Sequence, residues 1–186
     1  MRLTLEAIHA IHRPLCVYLF IIIINYITKL LLIYMFGFCR KRIGGFTYWY
    51  KDSTQRTYSF SRIQYTSTPS ATRKLPLVFI HGLGQGLIHY LNFIRDIATN
   101  RDVFLLELSY ISSRVGEHVP ESKEVADALS IMLQEHNYSR AIFMGHSFGT
   151  FTVNWCMKFH PDFVHSVMLI DPVTLLVCYP TTCHTF

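Results

Sequence analysis

The chain of 186 residues is long enough for one domain with a sizeable core, and 51% of its residues are hydrophobic. Residues 1–74 hold eleven Lys and Arg against two acids, a net charge of +9, whereas residues 75–186 hold six against ten, a net charge of −4; together they give the +5 of the whole chain. A nucleic-acid-binding protein carries its cations on the folded domain, so this distribution excludes nucleic acid as a partner. A basic stretch beside an apolar segment instead fits attraction to anionic lipid.

The sequence contains five cysteines, which are Cys16, Cys39, Cys156, Cys178 and Cys183. Their number is odd and no two form a C-x-x-C pair, so the sequence predicts neither a disulfide framework nor a zinc site. It also lacks a nucleotide-binding loop and a cofactor motif, and we expect neither a metal nor a cofactor. Cys39 is either a palmitoylation site or an ordinary free cysteine.

Residues 15–38 form a mostly apolar segment that Asn25, Thr28 and Lys29 interrupt. Its length suits a membrane-spanning helix, which needs about 20 residues. A lysine at the centre of a span costs roughly 2.5–3.5 kcal/mol, and the many Ile, Leu and Phe, at about 0.3–0.6 kcal/mol each, offset this cost. The segment therefore predicts a single span with the lipid bilayer as partner; the alternatives are a tilted hairpin or an interfacial helix.

The charges beside this segment predict its orientation. Arg40, Lys41 and Arg42 follow it, whereas Arg2 and Arg13 precede it. By the positive-inside rule the more basic side stays cytosolic, so we expect the domain after the span in the cytosol. The N-glycosylation sequon Asn137-Tyr138-Ser139 would report the topology if it were modified.

A stretch rich in aromatic residues and threonine comes next. Residues 46–50 and 57–65 are predicted as two β-strands joined by a polar turn, and residues 66–74 as a linker. The chain thus divides into a membrane anchor with its basic flank (1–42), antiparallel strands with a linker (43–74) and an α/β region (75–186).

Strands then alternate with helices. The predicted strands are residues 76–80, 103–106, 140–144 and 164–170, and the predicted helices are residues 87–98, 122–137 and 150–159. This alternation indicates a parallel sheet with helical crossovers.

Two motifs follow the ends of predicted strands. Gly145-His146-Ser147-Phe148-Gly149 is a G-x-S-x-G motif between a strand and a helix, the context of a nucleophile elbow. The glycines allow strand and helix to pass closely, and the helix N-terminus faces the place where an oxyanion would develop. The second motif is His81-Gly82-Leu83-Gly84, after the strand at residues 76–80.

The two motifs in this order resemble the alpha/beta-hydrolase family, over residues 75–173. The resemblance implies an α/β fold, here a partial three-layer alpha/beta-hydrolase sandwich with a mostly parallel sheet, preceded by the transmembrane helix. It also implies a serine nucleophile at Ser147 and oxyanion donors in the backbone N–H groups of Leu83 and Phe148. The other motif residues, which are His81, Gly82, Gly84, Gly145, His146 and Gly149, then shape the two turns.

In this family the serine acts in a catalytic triad with an Asp or Glu and then a His later in the chain, and these two members are less defined here. Asp171 ends the strand at residues 164–170 and is either the triad acid or a turn residue before Pro172. We reject His146 as the base because an adjacent elbow residue points away from the serine, and we expect His81 to brace the oxyanion loop. His184, the one histidine after Asp171, lies in a C-terminal tail, so we expect an incomplete chain with an exposed sheet edge.

The sequence therefore supports a membrane-anchored serine hydrolase that acts on an ester or lipid ester by acyl transfer to Ser147. Because no catalytic histidine is identified, two alternatives stay open. One is a non-catalytic membrane protein that binds or scaffolds, and the other is an unstable truncated product.

Overall fold

The computed structural model describes residues 14–53, 74–112 and 119–174. Within these ranges the helices are α1 (Leu15–Leu30), which continues as a π-helical turn (Leu31–Met35), α2 (Leu91–Ile97), α3 (Ser122–Glu135) and α4 (Gly149–Phe159). The strands are β1 (Cys39–Ile43), β2 (Phe46–Lys51), β3 (Leu77–Ile80), β4 (Val103–Glu107), β5 (Ala141–His146) and β6 (Val164–Ile170). Single 3-10 turns occupy Ile88–Tyr90, Ser109–Ile111 and Pro161–Phe163.

The strands form one sheet in the order β1-β2-β4-β3-β5-β6. β2 is antiparallel to both of its neighbours, and β4, β3, β5 and β6 run parallel. Parallel neighbours require crossover connections, and α2, α3 and α4 supply them. The predicted α/β sandwich with a mostly parallel sheet, preceded by an apolar helix, is confirmed.

Strand β1 was not predicted, because its basic residues Arg40, Lys41 and Arg42 are exposed and show no apolar alternation. Pairing with β2 creates it: Ile43 lies opposite Phe46 across the two-residue turn Gly44-Gly45. Both glycines have positive φ, +50° and +86°, which is the backbone that a tight hairpin turn with a right-handed twist requires. The segment that we described as a basic flank is thus also the edge strand of the sheet.

The other elements agree with the sequence interpretation to within a few residues. The predicted strand at residues 57–65 and residues 66–73 of the predicted linker lie outside the described residues. The outer strand β6 is exposed along most of its length, with Val167 39% and Met168 51% accessible.

Two apolar cores cover the two faces of the sheet. Successive residues of β4 alternate between them, so that Phe104 and Leu106 enter the core under α3 and α4, and Val103 and Leu105 enter the core under α2. All four are buried, which explains why β4 is a continuous apolar run rather than an alternating one.

The end of the apolar helix belongs to the second core. Leu32 and Phe38 are 0% and 2% exposed and pack in the cluster that includes Phe79 and Ile94. The helix ends at Met35, so the predicted span at residues 15–38 is helical over only part of its length. One side of its last turns packs against the domain through Leu32, whereas Ile33, Tyr34 and Met35 are exposed.

Asp102 connects three segments at the edge of the sheet where β4 begins. Its side chain is buried and accepts hydrogen bonds from the Tyr50 hydroxyl (2.9 Å), the Ser53 N–H (2.8 Å) and hydroxyl (2.7 Å), and the Tyr138 hydroxyl. Burial by itself would raise the pKa of Asp102, but the hydrogen bonds from Tyr138, Ser53 and Tyr50 outweigh it and lower the pKa to about 2.

This depressed pKa predicts a loss of stability in acid. The stabilisation is present above the unfolded-state pKa of about 4 and is lost as the pH falls toward about 2, with a total of about 2 kcal/mol. Asp102→Asn should lower the free energy of unfolding by a similar amount at neutral pH and flatten this pH dependence, as denaturant titrations of the full chain in detergent would measure. Tyr50→Phe removes one of the hydrogen bonds and serves as the milder control; an unchanged acid limb in Asp102→Asn would contradict the assignment.

Candidate active site

The two motifs meet at the edge of the sheet where the parallel strands end, which we call the active-site edge. Ile80 lies opposite Gly145 in the β3–β5 ladder, and His146 lies opposite Ile170 in the β5–β6 ladder. The residues that follow these strands, including Ser147 and Asp171, are therefore neighbours. Ligands of open α/β sheets bind at this edge.

Ser147 adopts a backbone conformation that a serine rarely takes. Its φ is +49°, in the left-handed region, at an estimated cost of about 1–3 kcal/mol. Hydrogen bonds hold it there: the Ser147 N–H donates to the Ile170 carbonyl (2.9 Å), and the Thr150 N–H and hydroxyl donate to the Ser147 carbonyl (3.0 and 2.6 Å). A strained strand-to-helix turn with serine at its tip is what the predicted nucleophile elbow requires, and the catalytic role of Ser147 stays a prediction.

The glycines of both motifs permit close approach of backbones. A Cβ on Gly149 would overlap the carbonyl oxygen of Ile80, so only glycine lets α4 start directly against the end of β3. A Cβ on Gly82 would lie 2.9 Å from the Ser147 Cβ and 3.0 Å from the His146 Nδ1. The His-Gly loop therefore lies directly against the elbow.

One expected oxyanion donor follows Ser147 in the chain, and the other follows Gly82, which lies against Ser147. Phe148 precedes α4, where the first N–H groups of a helix have no partner within the helix. Leu83 follows Gly82, and its side chain is 72% exposed. In the described turns and loops, neither the Leu83 N–H nor the Phe148 N–H donates a hydrogen bond to a backbone carbonyl.

His81 is fully buried beneath the loop. Its Nε2 accepts the Leu108 N–H (3.0 Å), so its Nδ1 carries the proton and donates to the Gly82 carbonyl (2.7 Å). Both ring nitrogens of this neutral histidine are thus used to connect the loop to the segment after β4. Such contacts brace the loop and leave His81 no nitrogen for catalysis.

A series of polar side-chain contacts, which the sequence did not reveal, connects the His-Gly loop to His146 and Asp171. The Tyr90 hydroxyl accepts the Gly82 N–H (3.2 Å) and is hydrogen-bonded to the His146 Nδ1 (2.9 Å). The His146 Nε2 faces the Asp171 carboxylate at 3.5 Å. Tyr90 fits the apolar stripe of the predicted helix at residues 87–98, and its hydroxyl is the one feature of the sequence that indicates a polar role.

These polar contacts limit the catalytic roles that are open to His146 and Asp171. Both ring nitrogens of His146 face groups other than Ser147, which leaves neither to accept the serine proton. Asp171 has a φ of +46° and an 84% exposed side chain, and among the described residues the histidine that it contacts is His146. His184 lies outside the described residues.

The cysteines and metal ligands add no second centre in the part of the chain that the structure describes. Within residues 14–53, 74–112 and 119–174, no group of three or more His, Cys, Asp or Glu is arranged to hold a metal ion. Cys156 is buried in α4, and burial raises the pKa of its thiol to about 12, so it is not a reactive thiolate.

Comparison with known proteins identifies the family. A family model described as the alpha/beta hydrolase fold matches residues 76–185, more than half of the chain. The chain belongs to the alpha/beta hydrolase fold family. The resemblance drawn from the two motifs is thereby confirmed, whereas no curated protein matches the sequence.

Solved structures with this fold include a membrane phospholipase A described as a bacterial virulence factor (17% identity, TM-score 0.54, covering 86% of this chain and 49% of that one). Two others are from Bacillus subtilis. The naproxen esterase carboxylesterase NP has 15% identity and a TM-score of 0.53, covering 81% of this chain and 49% of that one. The carboxylesterase CesB has 11% identity and a TM-score of 0.56, covering 83% of this chain and 49% of that one. At these identities the likeness concerns the fold alone. The chain spans about half the length of these structures.

The contact between Gly149 and Ile80 can be tested directly. Gly149→Ala should lower the free energy of unfolding by at least about 3 kcal/mol, because the new methyl group meets a backbone carbonyl that cannot rotate away. Asn154→Ala places the same residue at an exposed position of the same helix and should be neutral or slightly stabilising. Equal thermal stability of the two variants would show that the helix start is less tightly packed than described.

Proposed function

We propose that this protein is a membrane-anchored serine hydrolase that cleaves ester bonds through Ser147. The observation that carries the proposal is the strained backbone of Ser147, held between β5 and α4 and directly beside the His-Gly loop. A protein that used this turn only to connect a strand to a helix would gain nothing from a strained, non-glycine residue at its tip. The esterases and the phospholipase among the similar folds support the same reaction class.

The proposed reaction proceeds in two steps. The Ser147 Oγ bonds to the ester carbonyl carbon while a base accepts its proton, and the alcohol leaves with that proton as the ester C–O bond breaks. Water then hydrolyses the acyl-serine and restores the free hydroxyl. The N–H groups of Leu83 and Phe148 stabilise the oxyanion in both steps, each worth about 2.7–4 kcal/mol by analogy with known oxyanion holes.

The base has to be a residue other than His146 and His81, since the ring nitrogens of both are directed to other groups. We assign this role to a histidine outside the described residues, with Asp171 as the candidate acid from the end of β6. Among the described residues no histidine is placed against Ser147. This observation favours a second candidate function, because a binding or scaffolding protein would need no such histidine.

A fluorophosphonate probe separates these two functions. It forms a covalent bond from phosphorus to an activated serine oxygen with loss of fluoride, so the hydrolase should be labelled on the full chain in membranes. Ser147→Ala should abolish labelling, and Ser139→Ala, which changes an exposed serine far from the motifs, should leave it intact. Absence of labelling in the folded parent protein would favour the non-catalytic function.

The apolar helix supports the anchoring part of the proposal. Leu15–Met35 has 21 residues with a mean hydropathy of 2.3, long and apolar enough to cross a membrane. Two of its polar residues use helix carbonyls: the Asn25 amide donates to Ile21 (2.9 Å) and the Thr28 hydroxyl to Ile24 (2.8 Å). Polar groups satisfied in this way are tolerated in lipid.

We place the domain on the cytosolic side, following the excess of Lys and Arg after the helix. Asn137 gives the test, because it is an exposed residue in the turn after α3 and lies in a glycosylation sequon. Expressed in eukaryotic cells, the protein should show no glycosidase-sensitive shift in mobility, and Asn137→Gln should migrate like the parent. A sequon in an added N-terminal extension provides the positive control, and a shift that Asn137→Gln removes would place the domain in the lumen.

A further inference from the structure

The direction of α1 follows from its contacts. The helix touches the Ile88–Tyr90 turn, which lies at the active-site edge, and its π-helical extension touches β1. The chain then enters β1 at Cys39, which pairs with Tyr50 at the opposite edge of the sheet. The helix therefore descends from the active-site edge toward the opposite edge, and its earlier residues project beyond the active-site edge.

The buried residues of the helix lie in its second half, although Ile33, Tyr34 and Met35 near its end are also 42–80% exposed. Thr28 and Leu32 are 6% and 0% exposed, whereas large apolar residues of the preceding turns, such as Leu15, Ile22 and Tyr26, are 61–70% exposed. We call residues 15–27 the free part of α1. At 1.5 Å per residue it is about 20 Å long.

This length constrains where a membrane can lie. A bilayer has a hydrocarbon core of about 30 Å, so a free part of about 20 Å completes the proposed span only if the active-site edge rests on the membrane surface and residues before Leu15 enter the bilayer as well. Lys29 then lies in the packed stretch beside the domain rather than at the centre of the bilayer. Its cost within a span, which the sequence alone raised as an objection, is largely removed.

The two edges of the sheet differ in the residues that they expose. The active-site edge exposes Leu83 on the His-Gly loop and Val119 before α3, 72% and 66% accessible, together with the Asp171 side chain, which is 84% exposed. Arg42, near the end of β1 at the same edge, is exposed and suits anionic lipid headgroups. The loops at the opposite edge expose polar residues, including Asn100 and Arg140, although Tyr34 and Met35 at the end of the helix are 80% and 65% exposed on that side.

We propose that α1 inserts its free part into a lipid bilayer and holds the Ser147 edge of the sheet against the membrane, so that the substrate is an acyl ester resident in the bilayer. The orientation stands on the helix contacts and the exposed residues. The substrate class rests in addition on the proposed hydrolase function.

The orientation is measured without any activity. An environment-sensitive fluorophore is attached at His89→Cys, on the active-site edge, or at Asn100→Cys, on the opposite edge, in the full chain with Cys16, Cys39, Cys178 and Cys183 replaced by serine. In vesicles of phosphatidylcholine with phosphatidylserine, lipid-borne nitroxide quenchers should quench the label at His89 several-fold more than the label at Asn100. Equal quenching, or stronger quenching at Asn100, would overturn the orientation.

The substrate class is measured with two esters, a long-chain fluorogenic ester in the vesicles and a short-chain soluble ester. Ile23→Asp, in the free part of α1, should lower hydrolysis of the vesicle ester by about tenfold or more and leave the soluble ester unaffected, since an aspartate is strongly unfavourable in an inserted helix. Ile131→Asp makes the same change at a similarly exposed residue of α3 and should alter neither rate. Equal rates on the vesicle ester for Ile23→Asp and the parent would overturn the substrate class.

The two proposals fail in different ways. If Ser147 takes no fluorophosphonate and neither ester is hydrolysed while His89 remains selectively quenched, the hydrolase function and its substrate are lost and the orientation stands. If the soluble ester is hydrolysed and His89 is not quenched, the hydrolase function stands and the membrane-facing site is lost.

Discussion

The structure depends on one close contact between backbones, where α4 begins against the end of β3. Gly149 allows this contact because any side chain would meet the Ile80 carbonyl. The contact brings the turn at Ser147 beside the His-Gly loop. A hydrogen bond from the Ser147 N–H to Ile170, and hydrogen bonds from Thr150 to the Ser147 carbonyl, then hold Ser147 at positive φ. The site exists because the strain at one residue is offset by packing around it.

The surroundings of this turn keep its parts in register. His81 connects the loop to the segment after β4 through hydrogen bonds with Gly82 and Leu108. Tyr90 connects the same loop to His146 through hydrogen bonds with Gly82 and the His146 ring. Neither residue has a free group for proton transfer. Both hold the loop that carries the Leu83 N–H, which is the oxyanion donor that the sequence predicts.

The strands and helices around the site are predicted well from the sequence, because they are continuous apolar runs bounded by glycine or proline. For example, β6 is predicted at residues 164–170 and is found at Val164–Ile170. Strand β1 escapes such a prediction because its basic residues have no apolar alternation, and only the turn Gly44-Gly45 indicates a hairpin. The role of Tyr90 escapes it as well. Its partner His146 is 56 residues away in the chain, and no local pattern encodes that contact.

The burial of Leu32 and Phe38 in the domain also orders the events of biosynthesis. Most of their partners, such as Phe79, Leu105 and Met144, come much later in the chain and cannot yet be present when α1 leaves the ribosome. The last turns of the helix can therefore join the domain only after β3, β4 and β5 have formed. In the proposed orientation the whole helix is available to a membrane first, and folding of the domain then brings the active-site edge to the membrane surface.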